Sequence, residues 1–255
     1  MALIKTKEEI EKLREGGKIL AEVLQIVGRM AEPGVSTFRL NEVAENLIEK
    51  LGARPSFKNF KPEPRSTPYP AGLCTSLNDE VVHCVPSKDR ILKEGDILAL
   101  DLGVWYKNLC TDAAITVPIG NVSKEAKKLI AVTEESLYKG IKEAIIGKTI
   151  GDIGFAVSKI IEVNGFAIIR DLVGHGVGHK VHEDPQIPNY GQKGKGLKLQ
   201  EGMVLAIEPM TAMGDYRLKS CEDHFGYRTF DGGLSAHFEH TIAVTKNGPQ
   251  ILTRL

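Results

Sequence analysis

Two aspartates occupy strand-like sequence that would normally carry apolar residues. Asp101 lies in ILALDLGVW and Asp112 in LCTDAAITV, and the turn-prone residues 106–108 separate the two stretches. Aspartate is a poor strand former and is almost never buried without a partner. A hairpin centred between residues 106 and 107 would set the two carboxylates directly opposite each other on one face of a sheet. Such a pair requires either a protonated carboxyl or a cation between the two groups.

A second pair of acids follows from an internal repeat. The segment LKEGDILALD at 92–101 aligns with LQEGMVLAIE at 199–208, which sets Glu208 in the position of Asp101. Glu239, in SAHFEHTIAVT, resembles Asp112 in its strand. Two halves related by a pseudo-twofold axis would bring these two pairs of acids together, and such an arrangement holds a pair of divalent metal ions.

His175 is the candidate for a fifth ligand. It lies in LVGHGVGHKVHEDP, where three glycines allow the backbone to approach a site closely. Carboxylate ligands exclude a purely thiolate site, and an added imidazole favours Mn, Fe, Co or Zn over Ca or Mg. The alternative is a glycine-rich loop with solvated histidines. For His179 and His182, the local sequence alone favours surface histidines.

The hydrophobic pattern predicts two helices followed by strands, and then the same order again. Apolar residues recur at helical spacing over 8–31, 34–52, 126–141 and 150–160. Strand-like sequence covers about 72–117 and dominates the C-terminal part. We therefore predict one α/β domain over 1–255, built from two pseudo-repeat halves of about 1–120 and 121–255.

Composition and charge narrow the class of protein. The chain has 255 residues, of which 42% are hydrophobic, and its 33 basic residues balance 33 acidic ones. No excess charge is available to attract nucleic acid at long range. The sequence contains no run of about 18 apolar residues and no secretory signal, and its four cysteines form neither CxxC pairs nor a disulfide framework. These features predict a cytoplasmic protein without a membrane partner.

Together, these residues resemble the type I methionine aminopeptidases of metallopeptidase family M24, over nearly the whole chain. The resemblance implies the pita-bread fold, an α/β (α+β) architecture with pseudo-twofold halves in which an antiparallel sheet is flanked by two helix pairs. It also implies two divalent metal ions, which would be Co, Mn, Fe or Zn. The five implied ligands are Asp101, Asp112, His175, Glu208 and Glu239. By this resemblance Asp112 and Glu239 bridge the ions, Asp101 completes one, and His175 with Glu208 completes the other.

The same resemblance implies an activity and its catalytic residues. The expected reaction removes the N-terminal methionine of nascent proteins, with preference for a small second residue, by means of metal-activated water. Glu208 would shuttle the proton. His182 would donate a hydrogen bond to the substrate carbonyl, and His83, in NDEVVHCVP, would hold the scissile amide nitrogen or the leaving amine.

The methionine pocket implied by the resemblance includes positions at which this chain departs from the family pattern. Its walls would be Tyr69, Cys74, His83, Val181 and Phe225. Val181 stands where an aromatic residue is frequent, and Phe225 where tryptophan often occurs, so both are expected to reshape the pocket. Cys84 stands where glycine is common and is expected to alter the loop after His83.

Several alternatives stay open at the level of sequence. A proline-directed peptidase of the same fold, similar to aminopeptidase P or prolidase, and a catalytically silent pita-bread binding protein are the rival functions. The proline-rich segment 61–70 is either a rim over the pocket or, as we favour, a polar surface loop. Lys193, Lys195 and Lys198 form either a solvated hairpin, which we favour, or a contact to the ribosome. We expect a monomer that acts on nascent polypeptide N-termini.

Overall fold

Two pairs of amphipathic helices pack on one face of an antiparallel sheet. The structure is a computed structural model that describes residues 3–255. The first pair is α1 (Lys7–Met30) and α2 (Thr37–Lys50), and the second is α3 (Lys124–Glu143) and α4 (Ile150–Val163). These bounds agree with the helices predicted from apolar spacing.

The strands are short outside one long hairpin. In chain order they are β1 (Arg54–Pro55), β2 (Leu73–Leu77), β3 (Glu80–Val82), β4 (Ile97–Tyr106), β5 (Leu109–Pro118), β6 (Ala167–Ile168), β7 (Gly174–Gly176), β8 (Glu183–Ile187), β9 (Val204–Ile207), β10 (Met210–Ala212), β11 (Leu218–Ser220), β12 (Tyr227–Thr229), β13 (Ser235–His237), β14 (Glu239–Thr245) and β15 (Gly248–Ile251). The main sheet has the order β1-β4-β5-β14-β9-β7-β8, with β2 on β4 and β15 on β14. Strands of the first half thus lie on one side of the β5–β14 junction, and strands of the second half on the other.

Each helix pair covers the strands of its own half. Leu98, Leu100 and Leu102 of β4 pack with the apolar faces of α1 and α2. Leu205 and Ile207 of β9 pack in the same way with α3 and α4. Because side chains alternate along a strand, the residues between them point to the opposite face of the sheet. That opposite face carries the acids.

The β4–β5 hairpin differs in register from the prediction. Its turn is formed by Lys107 and Asn108, both with positive φ, and Tyr106 pairs with Leu109. The two-residue turn with two left-handed residues matches the right-handed twist of the strands. Asp101 therefore lies opposite Ala114 and not opposite Asp112, so the predicted direct pairing was wrong by two residues. A shift of two preserves the face, and both carboxylates lie on the same side of the sheet.

The two halves meet along a short ladder between β5 and β14. Two pairs form it, Glu239 with Ala114 and His240 with Ala113. The hydroxyl of Thr241 extends it at one end, because its Oγ1 accepts the Asp112 N–H at 2.9 Å and donates to the Asp112 carbonyl at 2.7 Å. Thr116 does the same for His237 at the other end, at 2.9 and 2.8 Å. Threonine side chains thus replace main-chain bonds on both sides of the junction.

The two segments for which the sequence left two alternatives, the proline-rich one and the lysine-containing one, both lie at the surface. The proline-rich segment is exposed up to residue 68 apart from the half-buried Ser66, and Pro62, Ser66 and Thr67 line the large cavity described below, so the segment is both a surface loop and a rim of the cavity. The segment with Lys193 and Lys195 is an irregular exposed loop docked on the start of α4, where Gly151 N–H donates to the Lys195 carbonyl. It is not the predicted hairpin. Within residues 3–255, none of the helices has the length and apolar character needed to span a membrane.

Candidate metal centre and substrate cavity

The five predicted ligands lie in two adjacent rows across one face of the main sheet. In the first row, Asp101 pairs with Ala114 and Ala114 with Glu239. The β14–β9 register ends with His240 opposite Ile207, and one further step in the same register leads from Glu239 to Glu208. The second row is displaced by two residues and contains Asp112 on β5 and His175 on β7. A two-residue step along a strand returns to the same face, so all five side chains project to one side.

Small residues separate the ligands within these rows. Ala114 lies between Asp101 and Glu239, and Ala206 pairs with both His175 and Thr241. Alternating large and small residues leave open volume above the sheet, between the carboxylates. Ligand atoms of Asp112, His175 and Glu239 all lie within 4.8 Å of one another, which is within reach of a single bound ion.

A cavity of about 1060 Å³ opens over these rows. All five predicted ligands line it. Its other walls contain most of the side chains predicted for the substrate and several more aromatic ones: Phe57, Phe60, Tyr69, Cys74, His83, His182, Phe225 and Tyr227. The volume is at the upper end of the range for small-molecule and peptide sites.

Without a cation, ionisation of the four neighbouring carboxyl groups is unfavourable. Burial raises the pKa of Glu208 to about 8, and burial together with the charge of Glu208 raises the pKa of Asp101 to about 7. Burial and the neighbouring carboxylates raise the pKa of Asp112 and of Glu239 well above their ordinary values. No lysine or arginine neutralises the four acids in the part of the chain described, since the ion pairs of the cluster involve histidines alone. A divalent cation would remove this cost.

Orphaned polar atoms test whether the residues fit a metal. One oxygen each of Asp101, Asp112 and Glu239 is buried without a hydrogen-bond partner. Buried polar atoms without partners are rare and costly in native proteins. The unpaired atoms converge on one cavity and belong to a set of four carboxylates and an imidazole. This donor set fits divalent ions of the Mn, Fe, Co and Zn class.

His175 has the orientation that a metal ligand needs. Its Nδ1–H donates to the carbonyl of Gly176 at 2.9 Å, which directs Nε2 towards Glu208 Oε1 at 3.4 Å. Burial, with the neighbouring His182, lowers the pKa of His175 to about 3. The imidazole is therefore neutral at pH 7 and offers the lone pair of Nε2 to a cation.

Two more histidines face the cavity from different loops. His83 adopts a left-handed conformation with φ of 63°, and burial lowers its pKa to about 4. The ring of His182 lies with its centroid 4.5 Å from that of His175, and burial lowers its pKa as well. Both His182 and His179 are exposed, but His182 lines the large cavity, whereas His179 bonds to Glu9. Local sequence alone therefore predicted the exposure of His182 but not its position on the cavity wall.

An apolar wall adjoins the predicted metal ligands. Tyr69 and Phe225 meet edge to face at 5.4 Å, and both pack with Cys74 in one buried cluster. Val181 belongs to that cluster but lines a smaller adjoining cavity of about 570 Å³ and not the large one. Phe60, which sequence reasoning missed, contacts His182 edge to face at 5.4 Å.

Sequence reasoning also missed His237. It is 1% exposed, both of its ring nitrogens lack a hydrogen bond, and Nε2 lies 3.5 Å from Glu208 Oε2. Its backbone is fixed by Thr116, so the ring has a defined position. The signal was present in SAHFEHTIAVT, because His237 stands two residues before Glu239 and therefore on the same face of an extended chain.

Known proteins resemble this chain over nearly its whole length. The model of metallopeptidase family M24 matches residues 11–246. A methionine aminopeptidase of Clostridium perfringens is 47% identical over 253 residues, with 99% of each chain covered. Methionine aminopeptidase 1 of Bacillus subtilis is 44% identical over 255 residues, covering 100% of both.

Solved structures confirm the predicted pita-bread fold. The methionine aminopeptidase of Thermotoga maritima superposes with a TM-score of 0.95 at 43% identity, covering 99% of both chains. A prolidase of Pyrococcus horikoshii shares the fold with a TM-score of 0.78 at 24% identity, but this chain covers 63% of it. Full-length identity above 40% to curated methionine aminopeptidases decides the family. The chain belongs to the methionine aminopeptidases of metallopeptidase family M24.

Proposed function

We propose that this enzyme removes the N-terminal methionine of newly made polypeptides with the two-row cluster as its metal centre. The observation that carries the proposal is the convergence of three buried acids, the half-buried Glu208 and His175 on one cavity, with three carboxylate oxygens left without partners. A site that held no cation would leave these oxygens uncompensated.

The residues fit two divalent ions, shared between the halves of the molecule. Asp101 would hold one ion, His175 and Glu208 the other, and Asp112 and Glu239 would reach both from the centre of the rows. When bound, such ions lower the pKa of water into the neutral range and polarise a carbonyl oxygen. All further steps depend on protein groups.

Proton movement is assigned to Glu208. Its carboxyl lies at the edge of the row, between His175 Nε2 at 3.4 Å and His237 Nε2 at 3.5 Å. His237 would donate to Glu208 Oε2 and so direct the other oxygen towards the reacting atoms. This makes His237 a positioning residue that acts through Glu208.

The neutral histidines of the cavity wall would bind the peptide. His182 would donate to the carbonyl oxygen of the methionine, where negative charge develops, and one such donor is typically worth about 2.7–4 kcal/mol of barrier lowering. His83 would hold the scissile amide nitrogen until it leaves as an amine. Because both rings are uncharged at pH 7, each can donate from one nitrogen and accept at the other.

The apolar wall supplies the selectivity for methionine in this proposal. Phe60, Tyr69 and Phe225 surround one end of the cavity. A thioether makes favourable contacts at the edges of aromatic rings, worth about 0.3–1.5 kcal/mol each. A substrate of this kind emerges from the ribosome, so we assign the enzyme to the cytoplasm and its partners to nascent N-termini, with preference for a small second residue.

Release of methionine from a Met-Ala-Ser peptide tests the proposal. Metal-free enzyme should be inactive, and addition of Mn²⁺, Co²⁺, Fe²⁺ or Zn²⁺ should restore turnover with up to two ions bound per chain. Peptides of the types Xaa-Pro and Leu-Ala should be cleaved poorly. Preferential cleavage of Xaa-Pro peptides, or binding of no ion at all, would overturn the assignment.

Substitution in the first half supplies a matched control. Asp112→Asn keeps the size of the side chain but removes a charge from the cluster, and should abolish both metal retention and turnover. Glu134→Gln neutralises an exposed acid of α3 and should change neither. Full activity of the Asp112→Asn protein would rule out Asp112 as a ligand.

A further inference from the structure

Two thiols lie in contact next to the substrate cavity and take no part in the proposed mechanism. The Sγ atoms of Cys84 and Cys221 are 3.6 Å apart, although the two residues are 137 positions apart in the chain. Cys84 is fully buried, while Cys221 is 8% exposed. The other described cysteines, Cys74 and Cys110, have no such sulfur neighbour among the hydrogen bonds of the structure.

The fold makes room for these two sulfurs. A Cβ atom at Gly226 would lie 2.3 Å from Cys84 Sγ and 3.2 Å from Cys221 Sγ, so any larger residue there would displace them. Strands β3 and β12 pair beside the thiols, with Tyr227 opposite Val82. The two cysteines are therefore held together by the main chain and do not meet by chance at the ends of mobile side chains.

Each cysteine belongs to a loop that shapes the cavity. Cys84 follows His83, and its carbonyl accepts the Tyr69 hydroxyl at 3.1 Å. Cys221 opens the turn that carries Phe225, closed by a bond from Cys221 N–H to the Gly226 carbonyl at 2.8 Å. A covalent link between the sulfurs would join the His83 loop to the Phe225 loop.

The two thiols differ in reactivity. A hydrogen bond from the Cys84 thiol, with a contribution from the charge of Arg228, lowers the pKa of Cys221. The hydrogen bond to Cys221 and burial raise the pKa of Cys84. A thiolate is the nucleophile in thiol oxidation, so Cys221, the more accessible of the two, would react first and Cys84 would follow.

We propose that Cys84 and Cys221 form a reversible oxidation site for hydrogen peroxide, which closes a disulfide beside the substrate cavity. The Cys221 thiolate attacks one peroxide oxygen, giving a sulfenic acid and, after protonation of the leaving hydroxide, one water. The Cys84 sulfur then attacks the sulfenic sulfur, and the departing hydroxyl takes the Cys84 proton to leave as a second water. Two electrons pass from the two thiols to peroxide. The sulfurs must approach by about 1.5 Å to reach bonding distance.

The neighbouring Glu80 makes a metal site the rival explanation for this cluster. Ligand atoms of Glu80, Cys84 and Cys221 lie within 4.8 Å of one another. However, Glu80 Oε2 already accepts the Leu77 N–H at 2.7 Å and pairs with the Arg90 guanidinium. A carboxylate neutralised by arginine is a poor cation ligand, and the remaining two thiols are fewer than a structural zinc site requires. The geometry therefore favours oxidation.

Peptide mapping after peroxide treatment tests the proposal directly. The zinc-loaded enzyme is suitable because zinc has no redox chemistry of its own. Free thiols are alkylated after exposure, and trypsin should then release peptide 66–88 linked to peptide 220–228. Cleavage after Glu80 separates Cys74 from Cys84 and identifies the linked sulfur. Dithiothreitol should reverse the link.

Variants distinguish the link from unspecific oxidation. Cys110→Ser removes a buried cysteine without a sulfur neighbour and should still form the link, whereas Cys221→Ser should not. Sulfinic or sulfonic acid at Cys221 without linked peptide would overturn the proposal. So would an extra zinc ion that is retained by the wild type and lost in Cys84→Ser, because it would reassign the cluster as a metal site.

The effect on catalysis rests on the proposed function. Since displacement of a positioning group by about 1 Å can cost roughly 100-fold in rate, the linked enzyme should lose up to that factor in kcat/KM on Met-Ala-Ser and regain it on reduction. The Cys221→Ser enzyme should keep its activity in peroxide. An enzyme inactive before oxidation would contradict the proposed function but leave the peptide map valid, and unchanged kcat/KM after full linkage would overturn the coupling to the site.

Discussion

The two halves of the molecule contribute equivalent acids, but the strands that carry these acids differ in length and in connection. In the first half, Asp101 and Asp112 lie on two ten-residue strands joined by a two-residue turn. In the second half, the equivalent strands β9 and β14 are shorter, and residues 208–238 with four further strands separate them. The first half is thus a continuous hairpin, whereas the second is a hairpin interrupted by an insertion.

Because of this difference, the hairpin and the insertion contribute different things to the candidate site. The continuous hairpin fixes the positions of Asp101 and Asp112 by its regular ladder. The insertion supplies groups that the first half lacks, including Phe225 on the cavity wall and His237 beside Glu208. Metal binding should therefore depend equally on both halves, while substrate contacts and fine positioning should depend mainly on the insertion.

The largest effect should come from removing one central acid in each half. Loss of a residue that hydrogen-bonds to a metal ligand costs up to roughly 100-fold in activity. Asp112→Asn and Glu239→Gln remove a proposed ligand itself, so both should reduce turnover by more than that factor. Metal content and methionine release measure the two losses. A much smaller loss in one variant would show that the halves do not share the centre equally.

The next effect concerns the insertion and His237. Removal of the ring in His237→Ala should weaken metal affinity by about 10–100-fold, because Glu208 loses the group that orients it. His237→Gln retains a donor and should recover most of the affinity. Calorimetric titration with Zn²⁺ measures both, and His179→Gln is the control at an exposed histidine. Equal losses in the Ala and Gln variants would contradict a hydrogen-bonding role.

A smaller effect is expected at the junction between the halves. Thr241→Val leaves a buried N–H and a buried carbonyl of Asp112 without partners, at about 1–3 kcal/mol each. Thr116→Val should cost a similar amount at the other end, since Thr116 makes the same two bonds to His237. Urea unfolding of the metal-free proteins gives the values. A clear inequality would show that one end of the junction carries most of its stability.

The smallest effect tests packing against the acid-bearing face of the regular hairpin. A Cβ atom at Gly103 would lie 2.0 Å from Ser56 Oγ and 3.1 Å from a ring carbon of Phe57. Gly103→Ala should therefore destabilise the fold by about 1–3 kcal/mol through overpacking. Ser56→Ala in the same protein should restore part of the loss, which a double-mutant cycle measures. Additive effects would mean that the strand shifts instead of pressing on Ser56.

The acids and the helices were predictable for a common physical reason. Buried carboxylates interrupt the hydrophobic pattern of a strand. Apolar residues at helical spacing form a periodic pattern of their own, so both features can be recognised in a single sequence. The exact register of the β4–β5 hairpin was not predictable from the same pattern. It depends on whether Lys107 and Asn108 accept positive φ, and several turn positions preserve the face on which Asp101 lies.

Contacts between segments that are distant in the chain were harder to predict from the sequence. Nothing local links Cys84 to Cys221, because the contact depends on the pairing of β3 with β12 and on the missing side chain at Gly226. The position of Val181 beside a smaller cavity also follows from chain packing and not from its residue type. The roles of the five ligands and of His83 and His182 stay predictions, with the tests given above.

The methyl group of Ala114 separates two acids of the first row. It stands between Asp101 and Glu239, which belong to different halves. An isopropyl group at this place would project into the volume between the acids, where the proposed ions would lie, whereas a hydrogen atom would enlarge that volume. The spacing of the proposed dinuclear centre would thus depend on one of the smallest side chains in the protein, which makes Ala114 a useful position for tuning the choice of metal by design.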